Sequence, residues 1–236
     1  MRDDIFIFDN VVHMYDNRAD NVIDPTAMHY MNRSFSTSGE TVDSSLYEGK
    51  YTSVEKALHL LFEDAEVDMA MAQTVPLFSY WREGFAPAER QHALAEAAPD
   101  RVMFCGGVDP VFQGLRGSIA ELERQATEWN ARSFKFYQGH HAGLTWRADD
   151  RRLAYPLYEK MQELGITVAQ FHKGLPLGLE YVEDLRPNDV QQAALDFPEM
   201  TFVLHHFGTP FIDETINIAA RFRNVWISLS AIINMY

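Results

Sequence analysis

Short apolar runs of strand length recur along the chain and alternate with stretches whose apolar residues fall at helical spacing. The runs Ile5–Phe8, Val67–Val75, Val102–Cys105, Ser133–Tyr137, Ile166–Phe171, Thr201–His205 and Val225–Leu229 predict seven strands. Between them, Val54, Ala57, Leu58, Leu61 and Phe62 mark a helix that opens with the capping-box pair Thr52 and Glu55 and ends near Asp64. Pro87 fits the first turn of a second helix, which runs to about Ala98. Ile119, Leu122, Ala126 and Trp129 mark a third, Pro156 starts a fourth through Leu164, Pro187 opens a fifth, and Phe211 to Phe222 reads as a sixth.

Strand starts recur at roughly 30 to 35 residues in the middle of the chain, the length of one β/α unit. Strict alternation with buried apolar strands predicts a parallel sheet with right-handed crossovers. The 236 residues match one β/α barrel and form one domain, 1–236. Seven strands are one short of closure, so the expectation is a barrel without its last β/α unit, a piece of a longer chain, or an open variant. A polar stretch from about Tyr15 to Tyr51, with a short helix near Pro25 to Met31, reads as a functional loop or lid. A second long loop carries Trp81, Arg82 and Phe85.

Composition narrows the function classes. Hydrophobic residues make up 47%, ample for a core, and no apolar run approaches the roughly 20 residues of a membrane span. The formal charge of -14 argues against nucleic acid and anionic membrane as partners. A single cysteine, Cys105, forms no internal disulfide, and with no secretory layout at the start it predicts a reducing, cytoplasmic setting. The expected partner is a small-molecule substrate, with a homo-oligomer left open.

The chemistry gathers at strand ends. His172 closes the fifth strand and His205-His206 the sixth, each followed within two residues by glycine. Parallel strands bring their C-terminal ends to one rim, where Asp9 and His13 from the first strand and Lys135 from the fourth join them. Imidazoles suit zinc and other first-row metals, and three protein ligands plus water make a catalytic zinc site. Alternation turns only one of the histidine pair inward; His206 is favoured, leaving His205 to pack or support. Lys135, between Phe134 and Phe136, is expected to be a partly neutral amine. It is able to form a Schiff base, a metal-bridging carbamate or a contact to a substrate carboxylate; pairing with an acidic neighbour is the plain alternative. His140-His141 sits in the loop after the fourth strand beside Gly139 and Gly143, and aromatic loop residues such as Trp81, Phe85, Tyr15 and Trp146 are candidate pocket walls. No Walker-type phosphate loop and no G-x-S-x-G elbow is present.

These motifs resemble the amidohydrolase superfamily, in particular the metal-dependent hydrolase and decarboxylase branch that includes aminocarboxymuconate semialdehyde decarboxylase. The likeness is carried by the stretch from Tyr155-Pro-Leu-Tyr to Phe171-His172, by Thr201-Phe-Val-Leu-His-His-Phe-Gly, and by Asn224-Val-Trp-Ile-Ser-Leu-Ser. It implies a TIM-type (β/α)8 barrel holding one or two divalent metals, zinc first, at the C-terminal rim. The family's first strand ends Asp-x-His-x-His, where this chain has Asp9-Asn10-Val11-Val12-His13, so Val11 replaces one ligand. The family's strand-eight aspartate finds no counterpart before Tyr236. By resemblance His13, His172 and His206 are the metal residues, His206 and Lys135 the catalytic ones, and Lys135 lies on the strand that carries a carboxylated lysine in the binuclear branch. Arg33, His140 and Trp81 are the expected substrate contacts. The leading expectation is a metal-dependent hydrolase acting on a small substrate, carboxylated ones included, through metal-activated water. A non-oxidative decarboxylase and a degenerate, non-catalytic barrel are the alternatives.

Overall fold

The computed structural model describes residues 5–26, 29–30, 51–141 and 144–232. Its centre is a seven-stranded parallel sheet whose spatial order follows the sequence. The strands are β1 (Phe8–Val12), β2 (Met69–Gln73), β3 (Val102–Gly107), β4 (Ser133–Tyr137), β5 (Val168–His172), β6 (Thr201–Leu204) and β7 (Val225–Ile227). Helices α1 (Val54–His59, continued by a π-helical turn over Leu60–Asp64), α2 (Ala88–Ala97), α3 (Gly114–Thr127), α4 (Tyr155–Glu163), α5 (Val190–Asp196) and α6 (Ile212–Arg221) fall between successive strands. The helix expected near Pro25 lies partly outside the described residues, as does most of the long polar stretch.

Successive side chains of a strand point to opposite faces of the sheet. Phe134, Phe136, Ala169, Phe171, Phe202 and Leu204 join one buried cluster with Leu94, Leu122, Leu157, Tyr158, Met161 and Ile218 of the helices. Burying each large member stabilises by about 1.5–3 kcal/mol. The opposite parity carries Gln73, Lys135, Gln170 and His172, and register places Lys135 beside Gln170 and Tyr137 beside His172. β4 and β5 are therefore not apolar on both faces; their second face, with Gln73 of β2, forms a buried polar interior.

Several boundaries differ from the sequence reading. β1 starts at Phe8 rather than Ile5, since Ile7 is engaged with Asp68, whose carboxylate accepts its N–H at 2.8 Å. Ser53, not Thr52, caps α1, its hydroxyl accepting the Lys56 N–H. Pro187 opens a 3-10 turn that precedes α5. The expected incompleteness of the barrel is present: β1 and β7 do not pair with each other. Ile5, before β1, and Trp226, in β7, are 63% and 62% exposed. No helix among the described residues is long and apolar enough to cross a membrane.

Candidate active site

At the C-terminal ends of β1, β4, β5 and β6 lies a cavity of about 270 Å³, and His13, His172 and His206 all line it. The fold brings these three together from separate strands, as the rim argument requires. The rings of His172 and His206 stand 4.5 Å apart edge to face, and Tyr137 stacks on His172 at 4.6 Å. Tyr15 and Phe85, stacked at 4.1 Å, complete an aromatic wall.

Backbone carbonyls fix the protons on all three imidazoles. A carbonyl oxygen only accepts, so the nitrogen facing it carries hydrogen and the other keeps its lone pair. His13 Nδ1 donates to Gln73 O at 2.8 Å, His172 Nε2 to Leu175 O at 2.9 Å, and His206 Nδ1 to Ser230 O at 2.9 Å. His172 Nδ1 and His206 Nε2 are buried without a partner. Burial first, and then the charge of Lys135, lowers His13 and His206 to about 3, so both rings are neutral at pH 7. His172 is pushed well below the ordinary value by burial and by His206.

The cavity wall is strained. Leu175, His206 and Ala231 line it with positive φ of 48°, 57° and 66°, a region that disfavours side chains. Such conformations cost about 1–3 kcal/mol each and cluster at functional sites. The glycines after the histidines have steric work of their own. A Cβ on Gly174 would lie 2.2 Å from Thr209 O, and one on Gly208 would lie 2.0 Å from Thr215 Oγ1. Leu175 N–H donates to Thr209 O at 2.6 Å, locking the loop after β5 onto the loop after β6.

Other expected site residues fall elsewhere. Lys135 is fully buried beneath the cavity and does not line it; its Nζ donates to Gln73 Oε1 at 3.3 Å. Burial lowers its pKa to about 7, the direction expected from its two phenylalanine neighbours. His140 does not line the cavity: it is buried with Nε2 2.8 Å from Asp109 Oδ2 and Nδ1 3.2 Å from Ser79 Oγ. Trp81 stands one ring behind the wall, stacked on Phe85 at 4.5 Å with its indole N–H donating to Asn17 Oδ1. Trp146 packs against Phe136 rather than the cavity. Arg33 lies outside the described residues.

The sequence reading missed Gln73, Gln170, Tyr137, Ser230 and Glu180. Inward parity on β2, β4 and β5 would have found the first three. Glu180 has no such signal: it is buried in the loop after β5, accepts the Leu177 N–H, and its carboxylate lies 3.9 Å from His172 Nε2. Burial drives Glu180 toward its protonated form.

A divalent cation fits this donor set in kind, since neutral imidazoles with buried bare nitrogens are what such an ion binds. Val11 lines the cavity where the resemblance places a ligand, and it offers none. No three carboxylate, thiol or imidazole groups among the described residues stand close enough to enclose an ion without movement. A larger groove of about 860 Å³ is lined by Arg18, Arg90 and Arg124. None of its described lining side chains has an unpartnered buried polar atom, so the rim cavity is the stronger site.

The amidohydrolase family model matches residues 43–235. The chain belongs to the amidohydrolase family. Among solved structures this chain is similar to an uncharacterized TIM-barrel protein from Bordetella bronchiseptica, at 23% identity over 95% of this chain and 75% of that one, with a TM-score of 0.70. It is similar to 2,6-dihydroxybenzoate decarboxylase from Rhizobium at 12% identity, covering 95% and 84% of the two chains, TM-score 0.57. A dihydroxybenzoic acid decarboxylase from Polaromonas with bound manganese matches at 11% identity over 92% and 78%, TM-score 0.57. At these identities the likeness shows the barrel fold alone. The search of curated proteins returns no match.

Proposed function

We propose that the rim cavity is the active site of a metal-dependent enzyme that removes carbon dioxide from a small, flat carboxylic acid. The observation that carries this reading is the pairing of bare His172 Nδ1 and His206 Nε2 with a slot walled by Tyr15, Phe85 and Tyr137. His13 and His172 would hold the cation, which would supply positive charge to draw in and orient the substrate carboxylate, leaving His206 Nε2 free for the proton. The aromatic rings clamp a planar substrate and exclude water from its faces. His206 Nε2, neutral at pH 7, takes the acid or hydroxyl proton of the substrate and returns it to the ring carbon as the carbon–carboxyl bond breaks. The similar folds of the dihydroxybenzoate decarboxylases support the assignment, and so does the manganese in one of them.

Hydrolysis is the second reading, favoured by Asp9. Its carboxylate lines the same cavity and is placed to accept a proton from water. Protein loaded with Mn²⁺ or Zn²⁺ is incubated with hydroxybenzoates and with small amides and lactones in H₂¹⁸O. Carbon dioxide release with no ¹⁸O in the organic product supports the lyase; ¹⁸O in that product supports the hydrolase. Inactivity of the loaded protein across both panels counts against both and leaves the degenerate, non-catalytic barrel.

A further inference from the structure

We propose that Gln170 and His205, neither of which lines the cavity, form a positioning pair that holds Ser230 and thereby aims the bare nitrogen of His206. The inference rests on His206 being a working group of the proposed site. Its geometry starts at the polar interior of the barrel. Gln170 Nε2 sits 2.9 Å from Ser133 Oγ and near the sulfurs of Met71 and Cys105, all able to accept. That places the amide oxygen toward Gln73 Nε2, which donates to it at 2.9 Å, and toward His205 Nε2 at 2.8 Å. An amide oxygen only accepts, so His205 Nε2 carries hydrogen.

With its ring hydrogen on Nε2, His205 presents Nδ1 to Ser230 as an acceptor. The Ser230 hydroxyl, 3.0 Å away, therefore donates to that nitrogen. This fixes the direction of the hydroxyl and the position of Ser230, whose backbone carbonyl accepts from His206 Nδ1 at 2.9 Å. The chain of bonds thus runs from β5 through β6 to the loop after β7, and it ends with His206 Nε2 unpartnered at the cavity. Gln73 extends the support to β1: its side chain donates to Asn10 O at 2.7 Å, and its own carbonyl holds His13. The outer partners of imidazole ligands typically change metal affinity about 10- to 100-fold when removed.

The test is a long-range ¹H–¹⁵N spectrum of the imidazoles in the metal-free protein, with Zn²⁺ titration alongside. Wild type is expected to show hydrogen on His205 Nε2 and on His206 Nδ1; hydrogen on His205 Nδ1 overturns the proposal. In Gln170→Leu, with the fold checked by circular dichroism, His205 should lose its fixed tautomer. The His206 nitrogen shifts should then move, and Zn²⁺ affinity should fall about tenfold or more. Gln125→Leu, which removes an equally buried amide bonded to Gly107, should change stability but none of these signals. Unchanged tautomers and affinity in folded Gln170→Leu overturn the pairing. Should that variant not fold, Ser230→Ala takes its place: a moved His205 Nδ1 signal together with moved His206 nitrogen signals supports the pairing, and unmoved signals overturn it. If wild type binds no Zn²⁺, the metal reading falls, while the tautomer signals still decide the positioning pair.

Discussion

Replacing Gly174 by alanine tests whether the interlocked loops after β5 and β6 hold the site. Gly174 has φ +66°, and an added Cβ would meet Thr209 O at 2.2 Å and the Gly208 carbonyl carbon at 2.4 Å. Two costs add. The left-handed backbone costs a residue with a side chain about 1–2 kcal/mol. Forcing a methyl group into a packed backbone contact costs about 1–3 kcal/mol more. The expected loss is therefore about 2–5 kcal/mol, a large share of the ~5–15 kcal/mol of a typical domain. Gly165→Ala isolates the first cost, because Gly165 has φ +74° with nothing within 4 Å of the added carbon. Urea unfolding of the metal-free proteins measures both, and the difference between the variants is the price of the loop contact. Leu175 binds Thr209 through its N–H and His172 through its carbonyl, so the same substitution should displace His172 and weaken Zn²⁺ binding. Equal destabilisation by Gly174→Ala and Gly165→Ala, with unchanged Zn²⁺ affinity, would show that the loops do not brace each other.

Three further outcomes are expected. His172→Ala should lose metal retention and activity while keeping the circular dichroism of the fold; full activity in that variant places the site elsewhere. Metal-free protein should lose stability on acidification from pH 6.5 to 4.5, because His13, His172, His205 and His206 stay neutral in the fold while the unfolded chain takes up their protons. Each such ring contributes up to about 1.4 kcal/mol per pH unit, and Glu180, kept protonated in the fold, opposes with one group against four. Flat stability over this window, measured by urea titration, refutes the buried-neutral reading. Lys135→Met should raise stability at pH 6, since it removes a charged, desolvated amine whose recorded hydrogen bond is a single 3.3 Å contact to Gln73. A loss of more than about 2 kcal/mol there would mean that the amine is a structural tie.

The β/α rhythm was legible because a strand buried against helices needs apolar side chains and a helix face needs its own period. That same periodicity put His172 and the pair His205-His206 at strand ends, but parity turns His205 rather than His206 inward, and His206 reaches the cavity through its left-handed backbone after β6 has ended. Lys135 looked anomalous between two phenylalanines for the reason that parity makes plain: Phe134 and Phe136 face the helices while Lys135 faces the interior. Reading that parity on the neighbouring strands would also have exposed Gln73 and Gln170.

His140 and Trp81 were out of reach of such reasoning, because their partners come from other loops. Asp109 and Ser79 hold His140, and Asn17 and Phe85 hold Trp81. The sequence by itself determined which segments pair, in what order, and which strands end in imidazole, since these follow from local periodicity and chain connectivity. Only the tertiary structure decided which nitrogen of each ring keeps its lone pair and which candidates reach the cavity. Those choices depend on carbonyls, hydroxyls and carboxylates that approach within about 3 Å only after the loops have packed.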